Sequence, residues 1–256
     1  MKRLLYLVMA ALMVLAVSCN KDNKPGNDDS DKYGVDGITP MPEAVDIGLV
    51  VNGKTIKWAS FNLGASKEYE YGAYYAWAET EPKVEYSFNS YKHYSALNQV
   101  TAYCPKYLAD YWDSSVKPDG PDGVLQILPS DDAAHVHLGG AWRLPTGDEL
   151  LALVDLQNDT EHYEWEKWAV INADGEDVYG LRITQKSTGN STFFPAAGAC
   201  SSTQVDGAGT MGYYWSSSLT EDFPYGAYGL FFDSESSRFD GGQRIAGFSV
   251  LPVCEE

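Results

Sequence analysis

Hydrophobic and polar positions alternate in short runs over most of the chain, and turn residues separate the runs. Residues 45–51 and 55–61 are two such runs, rich in β-branched residues and joined across Asn52-Gly53. Because Asn and Gly accept the left-handed conformations that a two-residue hairpin loop requires, the pattern predicts a β-hairpin here.

Further short runs predict strands in the second half of the chain. They cover residues 168–171 and 178–183, joined by the turn at 173–175, and then 191–195, 212–216, 225–232 and 245–253. Residues 71–77 form an aromatic run that fits either a strand or a short helix. Residues 79–128 show little periodicity and are interrupted by Pro and Gly. Long segments of this kind are functional or wrap a core, and the many Tyr and Trp favour packing over disorder.

Helical signals are confined to two places. Ser130, Asp131 and Asp132 can cap a short helix that runs through His137. Thr146 and Glu149 form a capping box, which opens an amphipathic helix to about residue 156. Because the helices lie in one block with strands before and after, the chain is predicted to be α+β, with short antiparallel strands, two helices and long loops.

The N-terminal residues 1–18 have the pattern of a signal peptide. Lys2 and Arg3 precede an apolar run at 4–17 that is too short to span a bilayer. Residues 15–19 (LAVSC) resemble the bacterial lipobox, and this resemblance implies that Cys19 is acylated and anchors the mature chain to a membrane. The alternative is an ordinary secretory signal with an incidental cysteine.

Residues 19–44 are predicted to be a flexible acidic tether, and residues 45–256 a single domain. Acidic residues soon after a lipidated cysteine also resemble the surface-export signal of some Gram-negative lipoproteins. The expected location is therefore the outer membrane, facing the cell surface, with the periplasmic face as the alternative.

The charge of the chain argues against two classes of partner. The chain has 18 Lys+Arg against 36 Asp+Glu, a net charge of −18, which argues against a nucleic-acid partner and against adsorption onto anionic lipid. Its 7 Trp, 18 Tyr and 9 Phe exclude a disordered acidic chain, since such chains are poor in aromatic residues.

Three cysteines remain when Cys19 is set aside. Cys104, Cys200 and Cys254 cannot all pair within one molecule, and the sequence does not choose among the three possible pairings. For an exported chain, one structural disulfide is favoured over a reactive thiol.

Several ordered segments carry a resemblance to a known family. They are 45–49 (VDIGL), 57–65 (KWASFNLGA), 74–80 (YYAWAET), 131–135 (DDAAH), 140–146 (GAWRLPT) with Glu149, 194–198 (FPAAG), 212–218 (GYYWSSS) and 247–253 (GFSVLPV). Together they resemble the Fibrobacter succinogenes major paralogous domain of exported lipoproteins. The resemblance implies a C-type-lectin-like fold, distantly similar to that of formylglycine-generating (sulfatase-modifying) enzymes. Phe61 and Leu251 stand where relatives often carry Cys and Arg.

These segments have the character of a scaffold. We expect Arg143 to make a buried salt bridge or carbonyl contacts, and Trp215 to place its indole in the core from a central strand. Gly198 and Gly247 are expected to meet backbone constraints.

No metal site or other cofactor is predicted. Asp131, Asp132, His135 and His137 lie within seven residues, but on a helix the two histidines point about 200° apart and the aspartates suit a cap. The carboxamide and carboxylate motifs with which lectins of this fold bind calcium are not matched by Glu81-Pro82-Lys83 or by residues 215–217.

Catalysis is not predicted either. The sequence has no Gly-x-Ser-x-Gly motif. Cys200 and Cys254 do not lie in the sequence motif that formylglycine-generating enzymes need. The expected function is a non-catalytic binding or adhesion module for glycan or protein ligands. Candidate ligand contacts are the aromatic residues in 86–94 and 107–112 and the loop 201–211. The alternative is that these aromatic residues only pack the long segment, residues 79–128, onto the core. The alternatives are a structural component of a surface assembly and, less favoured, an enzyme of the formylglycine-generating fold.

Overall fold

Antiparallel strands form the framework of the protein, and two α-helices pack on it. A computed structural model describes residues 32–173 and 175–255. The predicted signal peptide (1–18), the acylation site Cys19 and Asp174 in the predicted turn lie outside the described residues.

The described strands follow one another with little helix between them. They are β1 (Ala44–Val51), β2 (Lys54–Ala59), β3 (Tyr163–Ala173), β4 (Glu176–Gln185), β5 (Ser191–Pro195), β6 (Ala199–Ser201), β7 (Gln204–Asp206), β8 (Met211–Leu219), β9 (Gly226–Asp233), β10 (Ser237–Gln243) and β11 (Val253–Glu255). The helices α1 (Ala133–Leu138) and α2 (Gly147–Asp155) lie between β2 and β3. The predicted α+β class is confirmed at this level.

Among the described strands every pair is antiparallel, and these strands form four small sheets with the orders β1-β2-β11, β10-β9-β8, β3-β4-β5 and β6-β7. The β2 strand lies at the centre of the first sheet, so the C-terminal strand β11 pairs with a strand from the beginning of the domain. The two ends of the domain are therefore held in one sheet.

The predicted first hairpin is confirmed. Val51 pairs with Lys54 across Asn52-Gly53, and both turn residues have positive φ, 51° and 77°. This is the conformation that a two-residue turn needs to match the twist of its strands, and Asn and Gly adopt it at low cost.

Both predicted helices are also confirmed. Asp132 caps α1 by accepting a hydrogen bond from the backbone N–H of His135 at 3.0 Å. Thr146 and Glu149 form the predicted capping box at the start of α2, with each side chain accepting from the other residue's N–H. Local spacing was sufficient for these two predictions, since each cap is completed within three residues.

The strand predicted at 245–253 is wrong over most of its length. Only Val253 belongs to a strand, β11, while the residues before it make single bridges to separate partners: Phe248 with Tyr75, and Ser249 with Tyr214. The run is apolar because it passes through the core between sheets, and an apolar run alone does not distinguish that path from a strand.

Two cores hold the sheets and helices together. The first lies under α2, where Leu150 and Leu153 pack with Trp58, Phe194 and Leu230. The second contains Trp77, Tyr103, Trp215 and Phe248, and Ala134 of α1 packs into it. Residues 60–132, all described, form no named strand, and buried aromatic side chains fix them on this second core.

The described part of the predicted tether contacts the domain. Asp36 accepts a hydrogen bond from Nδ1 of His137 at 2.8 Å, and the backbone N–H of Asp36 donates to the carbonyl of His137 at 3.4 Å. Residues 34–36 therefore lie against the C-terminal end of α1. In the described part of the chain, no helix has the length and apolar character needed to cross a membrane.

The predicted disulfide is wrong for the described cysteines, because Cys104, Cys200 and Cys254 are not joined to one another. Cys104 and Cys200 are buried in separate clusters, the first beside Val100 and Trp112 and the second beside Tyr86. Apolar packing holds these segments in place instead.

Candidate functional site

Five aromatic side chains from three separate segments meet on one part of the surface. Phe88, Tyr94, Tyr111 and Phe223 surround Tyr225, and we call these five residues the aromatic surface. The ring centroids lie 6.3, 5.8, 5.5 and 5.4 Å from that of Tyr225, in the same order, with interplanar angles of 73–89°. Edge-to-face packing of this kind is favourable for aromatic rings, so each ring is fixed by its neighbours.

Short turns place the rings of this surface. Phe88 begins a 3-10 helix whose start is capped by Ser87 and Ser90, and Tyr111 ends another, Lys106–Tyr111. Tyr225 lies in the turn between β8 and β9, where the Thr220 hydroxyl donates to the carbonyl of Phe223 at 2.6 Å. Each ring therefore projects from a hydrogen-bonded turn.

Arg244 joins this surface to the core. It is 1% exposed, and its backbone N–H donates to the carbonyl of Tyr225 at 2.9 Å. Its guanidinium donates to the Tyr91 hydroxyl and to three backbone carbonyls at 2.7–3.1 Å, those of Ala102, Tyr103 and Pro224. It also lies over the ring of Trp77 at 4.9 Å, a favourable cation–π distance. One buried cation therefore connects the long segment, the β8–β9 turn and the second core.

The aromatic surface combines rigidity with exposure. Phe88, Tyr111 and Phe223 are 37%, 39% and 48% exposed, while Tyr94 and Tyr225 are half-buried. The gap between Phe88, Tyr94 and Tyr225 is too small for a water molecule. A ligand would therefore bind on the faces of these rings and not in a cavity beneath them.

Hydrogen-bonding groups border the rings. The Tyr225 hydroxyl donates to the carbonyl of Asn98 at 3.1 Å, and the Tyr107 hydroxyl donates to the carbonyl of Glu221 at 2.8 Å. Burial raises the pKa of both Tyr94 and Tyr225, so these phenols stay neutral and keep their O–H groups.

The aromatic residues predicted as ligand contacts fall into a buried group and an exposed group. Tyr86, Tyr91 and Trp112 are buried and pack the long segment down, whereas Phe88 and Tyr111 are exposed. The sequence did not identify Phe223, Tyr225 or Arg244. The one local signal was the string Phe223-Pro224-Tyr225, which places two aromatic residues around a turn-forming proline.

The acidic and histidine side chains at 131–137 contact different partners. Asp132 caps α1, while Asp131 accepts from Lys92 and from the Tyr103 hydroxyl. His135 contacts the carbonyl of Trp142, and His137 lies between Asp36 and the carbonyl of Thr80. Among the described residues, no three His, Cys, Asp or Glu side chains are grouped to hold a metal ion.

The expected role of Arg143 is confirmed. Its guanidinium donates to both carboxylate oxygens of Glu149, to Glu255 and to the backbone carbonyl of Leu144. The indole of Trp215 is 1% exposed, as expected, but β8 is an edge strand and not the central strand of its sheet. Ser249 lies beside that edge and exchanges backbone hydrogen bonds with Tyr213 and Trp215.

Both glycines expected to meet backbone constraints do so. Gly198 has φ +70°, and a Cβ there would lie 2.4 Å from the carbonyl oxygen of Asp206. A Cβ at Gly247 would lie 2.7 Å from the ring of Tyr86. At both positions the backbone approaches its neighbour too closely for a side chain.

Comparison of the chain with protein-family models, with curated proteins and with solved structures finds no match.

Proposed function

We propose that this chain is a lipid-anchored, non-catalytic binding module of the outer membrane, whose ligand is a carbohydrate that stacks on the aromatic surface. The observation that carries the proposal is the arrangement around Tyr225. Rings from three segments are locked together edge to face, and Phe88, Tyr111 and Phe223 keep a large part of their area exposed.

The chemistry of this surface favours a carbohydrate over a folded protein partner. The apolar C–H face of a sugar ring stacks on an aromatic ring, while its hydroxyls need polar groups at the edge of the stack. The phenol hydroxyls of Tyr94 and Tyr111 and the backbone around Asn98 supply such groups. Rings that are already fixed lose little entropy when a ligand binds.

The anchor is proposed from the N-terminal sequence. The lipobox-like residues 15–19 support acylation of Cys19, and the polar residues after it support a spacer between the membrane and the domain. We also propose the C-type-lectin-like fold and membership of the major paralogous domain family. The α+β class and the ordered sequence segments quoted above support both proposals.

A glycan array probed with the purified protein tests the proposed function. We expect binding to a defined group of glycans, and weaker binding to the same glycans in Phe223→Ala. Leu151→Ala is the matched control, because Leu151 is 44% exposed but lies on α2, away from the aromatic surface. Binding only to protein extracts and to no glycan would contradict the proposal, as would equal binding by both variants.

A further inference from the structure

A polar cleft of about 350 Å3 lies in the long segment, separate from the aromatic surface in the residues that line it. Its polar lining includes Lys92, His93, Tyr103, Lys117, Asp122 and Asp131. Its size lies at the lower end of the range for small-molecule sites, which suits a ligand of about one sugar unit.

His93 brings an unused hydrogen-bond acceptor to this cleft. The residue is 6% exposed, and its Nε2 lies 3.0 Å from the carbonyl oxygen of Ala78. Because a carbonyl only accepts, Nε2 carries the proton and Nδ1 carries a lone pair. Burial lowers the pKa of His93, and nearby Arg244 and Lys92 act in the same direction, so the neutral form is favoured.

Among the described residues, no hydrogen bond to Nδ1 of His93 accompanies the one that its Nε2 makes with the carbonyl of Ala78. Since the ring lines the cleft, the cleft is the space from which a donor would approach. The rings of Tyr91 and Tyr103 hold the imidazole edge to face at 5.6 and 5.3 Å.

The charges in the cleft are balanced and fixed. Asp131 accepts from Lys92 Nζ at 2.7 Å and from the Tyr103 hydroxyl at 2.5 Å. Asp122 accepts from the backbone N–H groups of Tyr103 and Cys104 at 2.8 and 2.9 Å. The ammonium of Lys117 lies 5.7 Å from the centroid of the Trp112 ring. Two lysines and two aspartates favour an uncharged ligand that can both donate and accept hydrogen bonds.

Neighbouring hydroxyls on a sugar ring meet this requirement, since each hydroxyl donates one hydrogen bond and accepts others. We propose that this cleft is a second binding site, which takes one sugar unit through a vicinal diol. One hydroxyl donates to Nδ1 of His93, and its neighbour accepts from a lysine ammonium. The proposal rests on the proposed function only for the ligand class, because the cleft and the aromatic surface use different residues.

Nitrogen-15 NMR of the histidine side chains tests this proposal on the full chain. The chain has four histidines, and the His93 signals are those that disappear in His93→Gln. The glutamine amide can still donate to the carbonyl of Ala78, while the acceptor at the Nδ1 position is lost. The probes are the monosaccharides glucose, galactose, mannose and fucose at millimolar concentrations.

We expect a neutral His93 whose Nδ1 resonance moves upfield as one of these sugars is added. Affinity should fall about fivefold to tenfold in His93→Gln, the value of one hydrogen bond. It should also fall in Lys117→Met but not in the control Lys186→Met, because Lys186 lies outside the cleft and binds the carbonyl of Thr160.

A His93 signal that no sugar perturbs would overturn the proposal, and so would a doubly protonated His93 at neutral pH. Both results are measured on the unmodified protein. If His93→Gln does not fold, the His93 signals are assigned there by through-space contacts to the rings of Tyr91 and Tyr103. If no sugar perturbs His93 while Phe223→Ala weakens glycan binding, the cleft proposal fails and the proposed function stands. If His93 responds while Phe223→Ala binds normally, the aromatic surface fails and the cleft stands.

Discussion

Arg143 holds Glu149 by two parallel hydrogen bonds, Nη2 to Oε1 at 2.6 Å and Nη1 to Oε2 at 2.8 Å. The same carboxylate accepts from the backbone N–H of Thr146 at the start of α2, and Arg143 also reaches Glu255 on β11 at 2.6 Å. One ion pair therefore connects the cap of a helix to the strand that closes the domain. Burial acts to lower the pKa of Arg143, but its bonds to Glu149 and Glu255 outweigh it and raise the pKa. Hydrogen bonds from Lys54 and from Arg143 lower the pKa of Glu255.

Removing Glu149 should be strongly destabilising. Glu149→Ala leaves a partly buried guanidinium without its main partner and the backbone N–H of Thr146 without its acceptor, so we expect the free energy of unfolding to fall by about 3 kcal/mol. Thr146→Ala removes only the cap and should cost about 1 kcal/mol. Urea unfolding of both variants measures the difference. Equal losses for the two variants would mean that the ion pair contributes nothing beyond the cap.

The sequence was informative wherever a feature is completed within a few residues. The hairpin at Asn52-Gly53 and the capping box of Thr146 and Glu149 are of this kind, since turn chemistry decides each of them locally. Strand β10 (SRFDGGQ) was missed because two glycines and an exposed Arg and Asp interrupt its pattern. Backbone pairing with β9 holds this strand in place, and no short sequence pattern predicts that pairing.

The candidate site was only partly predictable for the same physical reason. Phe88 and Tyr111 lay in segments named as candidate contacts, but their neighbour Tyr225 is more than a hundred residues away from both in sequence. Arg244 lies immediately before the run predicted as a strand at 245–253, and no pattern in its sequence neighbours predicts that it donates to carbonyls of the long segment. Such contacts are set by tertiary packing, which a single sequence does not encode in any short pattern.

Arg244 should be essential for holding the long segment in place. Arg244→Met removes the donor from four buried acceptors, so we expect a loss of at least about 3 kcal/mol in the free energy of unfolding. Limited proteolysis should then cut within residues 86–112, because that segment loses its link to the core. The control is Arg238→Met on β10, whose exposed ion pair with Asp240 should contribute less than about 0.5 kcal/mol. An Arg244→Met protein as stable as wild type would contradict this role.

Asp36 should make the contact between the N-terminal segment and α1 sensitive to acid. Burial opposes ionisation, but hydrogen bonds from the Thr39 hydroxyl, from two backbone N–H groups and from His137 outweigh it and hold the pKa of Asp36 well below 3.8. A carboxyl with a lowered pKa stabilises the fold above its unfolded pKa, and the contribution is lost as the pH falls towards the folded value.

Asp36→Asn tests this contribution. The variant should be less stable than wild type near neutral pH, and the difference should shrink between about pH 5 and pH 2. Chemical unfolding at a series of pH values gives both curves. A difference that stays constant, or grows on acidification, would show that the ionised carboxylate is not the source of the stabilisation.

Thermal stability should not depend on reducing agent, because the described cysteines are not joined to one another. Burial raises the pKa of the Cys104 thiol to about 11, so this group should resist alkylation at neutral pH until the protein is denatured. Melting curves with and without dithiothreitol, followed by mass spectrometry after alkylation, measure both effects. A marked fall in melting temperature on reduction would reveal a structural disulfide and contradict the structure.

The most direct test of the central claim is the affinity for the best glycan of the array, measured by calorimetry on wild type, Phe223→Ala, Tyr111→Ala and Leu151→Ala. Stacking on one aromatic ring contributes about 0.5–1.5 kcal/mol, so each aromatic variant should bind about twofold to twelvefold more weakly, while Leu151→Ala binds as wild type does. If all three variants bind with the affinity of the wild-type protein, the surface around Tyr225 is not the binding site.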